Sequence, residues 1–199
     1  MTAVFYLVRH AAHDNVGGFL AGRSPSIHLG ADGLAQAGRL AQRMTQERFQ
    51  SIFAGPRERT QETAEAIAAA CGDPPVTIAD ELDEVDFGSW SGSSFDELNK
   101  LGEWQRWNSM RSMAETPSGE TMLDVQQRSV GLIRRLAAQN ADARIVLVSH
   151  ADIIKSVVSH VLGLPIDAWP RFEISPASIT TIVVGEWGGK LHTLNETTG

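Results

Sequence analysis

In this sequence, two histidines and several arginines stand where short apolar runs end. The run AVFYLV, residues 3 to 8, leads straight into Arg9 and His10. The segment SIFAG, 51 to 55, runs into GPRERTQETA, which carries Arg57 and Arg59 at the start of a helical pattern. The run RIVLVS, 144 to 149, ends in Ser149 and is followed by His150, again just before an apolar helix pattern. If these strands are parallel, the arginines and histidines converge beyond one end of a sheet, where ligands of open α/β sheets gather. Helix N-termini favour anions there, and a guanidinium grips two oxygens of a tetrahedral oxyanion in its planar fork. Cations beside an imidazole hold it in the neutral, nucleophilic form. The expected chemistry is a phosphate pocket that uses no metal and has an imidazole facing the phosphorus. An Arg-His pair after a single strand would be an ordinary strand end; the later segments give it weight.

The elements that must position these groups are legible in outline. Residues 31 to 49 carry Leu34, Ala37, Leu40, Ala41 and Met44 at helical spacing. In the helix that follows Arg59, one face holds Thr60, Ala64, Ile67, Ala68 and Cys71. PPVTI, 74 to 78, suggests a third strand, and residues 11 to 30 and 80 to 92 read as irregular. A helical stretch is expected over 95 to 113, with Leu98, Leu101, Trp104 and Trp107, until Pro117 breaks it. Helices over 120 to 139 and from 153 onward flank the RIVLVS strand, and ASITTIVVGEW and KLHTL read as two closing strands. Alternating strands and helices mean an α/β layered sheet.

Bulk properties limit the partners. A chain of 199 residues with 42% hydrophobic and 21% charged residues suits one domain, here 1–199, with 93–118 as a small insertion or lid. A net charge of −7 argues against nucleic acid or an anionic membrane as partner, so an anionic ligand must be held by local cations. The single cysteine, Cys71, excludes an intrachain disulfide, and a cytoplasmic location is expected. No apolar run reaches membrane-span length, and no basic region precedes the first apolar run as in a signal peptide. His10 and His13 make a poor metal pair, with no Cys cluster or H-E-x-x-H, so no metal or cofactor is expected.

The segments LVRHA, GR at 22–23, GLAQA, RTQETAEAIA, LDEVDFGSWSG, PSGET and VLVSHADIIKSV, in that order, resemble the histidine phosphatase superfamily, also called phosphoglycerate-mutase-like. The resemblance spans nearly the whole chain. It implies a three-layer α/β/α sandwich with a mostly parallel central sheet, and a phosphohistidine mechanism. It implies that His10 is the nucleophile, that Arg9, Arg59 and His150 bind the phosphoryl group, and that Glu84 is the proton donor. Asn15, Arg23 and Ala151 fall among its substrate-binding positions. Glu84 lies among Val85, Phe87 and Trp90, whose burial would raise its pKa. Arg59 keeps better register than Arg57 with Thr63-Ala64.

The chain departs from the family pattern at Ala11 and Ala151, where glycine is common, and at Asn15, one residue early. Trp104 and Trp107, with Arg106 and Arg111 interleaved, either pack on the core or form a lid. In a lid, the tryptophans, Trp104 among them, would stack on an organic moiety of the substrate while Arg106 and Arg111 meet a second anion. His28 either lines the pocket or sits exposed in its loop. Family mutases carry a longer, more basic insertion, whereas 93–118 holds only Lys100, Arg106 and Arg111. Hydrolysis of a small phosphorylated metabolite is therefore the leading reading. A mutase-type phosphotransferase and a catalytically silent phospho-ligand binder are the alternatives. Homodimers are common for this architecture.

Overall fold

The computed structural model describes residues 2–14, 17–139 and 142–198. A six-stranded sheet runs in the order β3-β2-β4-β1-β5-β6. Its strands are β1 (Thr2–Arg9), β2 (Ser51–Ala54), β3 (Val76–Ile78), β4 (Arg144–Ser149), β5 (Ile179–Gly185) and β6 (Gly188–Glu196). The first four are mutually parallel, and β5 and β6 add antiparallel pairs at one side. Helices α1 (Ala31–Met44) and α2 (Glu58–Ala70) cover one face, and α5 (Met122–Gln139) and α6 (Ala151–Leu162) cover the other. This is the expected three-layer α/β/α sandwich.

The uninterrupted apolar runs of β1 and β4 follow from burial on both faces. Ala3, Phe5, Leu7, Ile145 and Leu147 point into the layer with Leu132, Ile133, Leu136, Ile154 and Val158. The alternate residues Tyr6, Val8, Val146 and Val148 point into the layer with Ala37, Leu40, Met44, Ala64 and Ile67. Fully burying each such large side chain contributes about 1.5–3 kcal/mol. Register does the rest. β1 pairs with β4 so that Arg9 stands opposite Ser149, and His10 N donates to Ser149 O at 2.9 Å. The two histidines therefore leave the sheet side by side.

Two helix expectations need correction. Leu34 is 59% exposed, and the buried position beside it is Gly33, where a Cβ would lie 1.8 Å from Ala12 O. The backbone that follows His10 packs directly on α1, which places glycine on the inner face and turns Leu34 outward. The stretch 95 to 113 is two helices, α3 (Phe95–Leu98) and α4 (Gly102–Ser109). A Ser94–Glu97 capping box starts α3, and Asn99 interrupts the run by accepting from Trp104 Nε1 at 3.2 Å. Leu98, Trp104, Trp107 and Ala114 form a third apolar cluster with Val85, Phe87, Trp90, Met122 and Ile153. Among the described residues no helix is long and apolar enough to cross a membrane.

Candidate active site

The site is assembled at the carboxyl ends of β1 and β4, where the strand order switches direction. His10 is 4% exposed, and its Nδ1 lies 2.7 Å from Ala11 O. Only a protonated Nδ1 can donate to a carbonyl, so the lone pair sits on Nε2. Burial pushes the His10 pKa well below the ordinary imidazole value, and the charges of Arg59 and Arg9 push it further down. The ring is neutral and nucleophilic at neutral pH.

His150 carries the opposite tautomer. Arg59 Nη2 lies 3.3 Å from its Nδ1, and a guanidinium can only donate, so Nδ1 accepts and Nε2 holds the proton. Burial, then Arg59, keep this ring neutral as well. Its ring centre stands 5.1 Å from that of His10. One imidazole thus offers a lone pair and its neighbour an N–H.

Arg9 is held by Nη1 donating to Ile174 O at 2.7 Å, and Arg59 by Nη2 donating to Gly22 O at 2.7 Å. Thr63 fixes the base of this arrangement: its Oγ donates to Arg59 O at 2.7 Å and accepts from Ala11 N at 3.1 Å. Among the described residues, four buried donors of these side chains have no partner: Arg9 Nε, Arg59 Nε, Arg59 Nη1 and His150 Nε2. Buried donors are nearly always satisfied, so four idle ones around His10 describe a cradle for an oxyanion.

Glu84 enters from the loop after β3. Its Oε2 is 3.5 Å from His150 Nδ1, and its Oε1 accepts from Val85 N at 2.9 Å. Burial first, then the negative charge of Asp152, raise its pKa to about 7. The protonated form is therefore available near neutral pH.

The structure revises several expected substrate contacts. Arg23 Nε donates to Glu84 O at 2.8 Å, and its other nitrogens reach Asp86 at 3.5 Å and Glu120 at 2.9 Å. Its fork meets protein acceptors and braces the loop that carries Glu84. Arg57 likewise grips both oxygens of Asp83 at 2.9 and 3.0 Å. Trp104 is 7% exposed and packs edge-on against Trp90, with ring centres 5.4 Å apart. It belongs to the core and cannot stack on a ligand. Arg106 is exposed on α4, and among the described residues no contact brings it to the cradle. Ala151 opens α6 directly after His150, half-buried beside the cradle. His28 is exposed and bonded to Glu62. Asn15 lies outside the described residues.

Sequence reasoning missed Glu120 and Arg128. Glu120 accepts from Arg23, from Arg128 Nε at 2.8 Å and from Asp86 N at 3.0 Å, while Arg128 also donates to Glu84 O at 3.2 Å. In the chain, Glu120 carries no role of its own inside PSGET, and Arg128 reads as a solvated charge on an amphipathic helix. Gly88 locks the same loop: its φ is +54°, and a Cβ there would lie 1.6 Å from Pro117 O. Gly88→Ala is expected to cost at least ~2 kcal/mol, read as a lower denaturant midpoint, with activity falling as the acid loop shifts.

The family model described as the histidine phosphatase superfamily (branch 1) matches residues 5–197. Phosphoserine phosphatase 1 of Hydrogenobacter thermophilus is 30% identical over 195 residues, covering 96% of this chain and 91% of that protein. The probable phosphoglycerate mutase GpmB of Cronobacter sakazakii is 32% identical over 180 residues, covering 89% and 83%. Among solved structures, the phosphoserine phosphatase of Entamoeba histolytica in complex with 3-phosphoglyceric acid superposes with a TM-score of 0.87. It is 27% identical, and 98% of each chain is covered.

Proposed function

The chain belongs to the histidine phosphatase superfamily, branch 1, and from that premise we propose that it is a metal-independent phosphatase acting on a small phosphomonoester through phosphorylated His10. The observation that carries this reading is the ring of idle buried donors around a histidine whose Nε2 lone pair is free. Arg9, Arg59 and His150 Nε2 hold the three non-bridging oxygens, and His10 Nε2 attacks phosphorus in line with the ester oxygen. The P–O bond breaks as the P–N bond forms, and the Glu84 proton passes to the departing alkoxide. Phosphoryl transfer asks mainly for such positioning and charge stabilisation. Water then attacks phospho-His10, gives a proton to the Glu84 carboxylate and releases phosphate. The whole chain is read as one domain, with 93–118 supporting the acid loop through the tryptophan cluster.

The likeness to a probable mutase gives a second outcome to separate. A mutase hands the phosphoryl group to a second hydroxyl and releases little phosphate; a phosphatase releases it stoichiometrically. The test is p-nitrophenyl phosphate with and without EDTA, followed by phosphate release from a panel of phosphometabolites. Turnover unchanged by EDTA and competitively inhibited by vanadate is the expected result. Loss of turnover with EDTA would remove the metal-free mechanism, and binding without turnover across the panel would leave a silent binder.

A further inference from the structure

A second group of buried charges lies beside the cradle. Lys155, on α6, is 6% exposed; its ammonium stands 5.2 Å from the centre of the Trp169 ring and 5.8 Å from that of Phe172. Its nearest carboxylate, Glu173, is 3.8 Å away, beyond hydrogen-bond reach. Arg111 is 5% exposed, and its guanidinium carbon stands over Trp169, 3.7 Å from the ring centre. Its Nη1 forms an ion pair with Asp152 Oδ1 at 2.8 Å, and among the described residues neither Nη1 nor the buried Nε has an aligned hydrogen bond.

This group adjoins the catalytic residues. Arg9 donates to the carbonyl of Ile174, the residue after Glu173, so one backbone segment touches the phosphate-binding arginine and the Lys155 carboxylate. Asp152 follows His150 by two positions in the first turn of α6. A buried guanidinium with idle N–H groups is costly unless something completes it, and among the described residues the Lys155 ammonium beside it has an ion-pair partner in Glu173 but no hydrogen bond. The Glu173 side chain is 79% exposed and free to turn into water. Arg111, Lys155 and Asp152 then carry one net positive charge, which matches a single carboxylate and not a second phosphate dianion. The Trp169 ring supplies a flat wall beside it.

We propose that Arg111 and Lys155 form a specificity subsite for a carboxylate on the alcohol portion of the substrate, making phosphorylated hydroxy- or amino acids the preferred class. The proposal rests on the phosphatase reading above and names the leaving-group chemistry of that same site.

Matched pairs test it: O-phosphoserine against O-phosphoethanolamine, and 3-phosphoglycerate against glycerol 1-phosphate. The wild type is expected to favour the acid member at least about tenfold in kcat/KM, the range of a charged hydrogen bond. Lys155→Gln is expected to remove most of that preference through KM, and Lys155→Arg to keep part of it. The loss for the acid member should exceed that for p-nitrophenyl phosphate at least about tenfold. Arg111→Gln should act in the same direction; if it fails to fold, the Lys155 variants still decide. No preference in either pair, or equal losses for acid and non-acid esters, overturns the subsite. If no ester is turned over, the phosphatase reading falls, and calorimetric binding of the first pair to the His10→Ala variant decides this one. Equal affinities then reject it, and a clear preference for phosphoserine sustains it.

Discussion

Replacing His10 with alanine is expected to lower turnover of any phosphomonoester by about four orders of magnitude or more, with the fold intact. Neither neighbouring ring is placed to replace the nucleophile: His150 directs an N–H and not a lone pair from Nε2, and the His13 ring is stacked 6.3 Å away, centre to centre. Truncating the imidazole would leave the four idle donors in place, so phosphate and vanadate should still bind. Retained binding with lost chemistry marks a nucleophile. Loss of both would mark a residue that only shapes the pocket. Rapid mixing of the wild type with ³²P-labelled substrate and an alkaline quench should trap label on the chain, released by mild acid as phosphoramidates are. The His10→Ala chain should carry none. Label that survives acid, or that appears on the variant, would move the nucleophile elsewhere.

Glu84→Gln is expected to cost roughly 10²- to 10⁴-fold in kcat for alkyl phosphates, the usual range for a lost general acid. The loss for p-nitrophenyl phosphate should be much smaller, because nitrophenolate leaves without a proton. Equal losses for both leaving groups would take Glu84 out of the acid role. The pH profile carries the same signature. With the Glu84 pKa at about 7, the acid form is present below that value and disappears above it. The rate-limiting first step on alkyl esters should therefore fall as pH rises through about 7 in the wild type, and not in the variant.

In the same variant, stability should move in the opposite direction to activity. The pKa of Glu84 rises from 4.5 to about 7 on folding, so the folded chain holds this proton more tightly than the unfolded one. Its contribution is fully present below pH 4.5 and is lost as pH rises through about 7. That loss amounts to about 3 kcal/mol. Glu84→Gln should remove this pH dependence and melt higher than the wild type at pH 8. The acid is held at a cost to stability in return for its proton.

The sequence by itself determined a layered α/β sheet with Arg9, His10 and His150 at the carboxyl ends of its strands. Continuous apolar runs of this length, set between helical patterns, form strands covered on both faces, and a histidine directly after such a run leaves the sheet at its carboxyl end. Local sterics and hydrophobic period act over a few residues, so β1, β4 and the helix after His150 are legible with their boundaries nearly in place. Only the tertiary structure decided which charged groups are idle and which are spent. Register with Thr63-Ala64 favours Arg59 over Arg57 in the chain, but no local pattern shows which guanidinium meets a carboxylate. Arg23 and Arg57 close on carboxylates from the acid loop and its supports, while Arg59 keeps two donors free. Trp104 and Glu120 escape a reading of the chain for the same reason: the partners that fix their roles include elements distant in sequence. A donor stays idle when folding buries it and supplies no acceptor, and that depends on long-range contacts that no local pattern records.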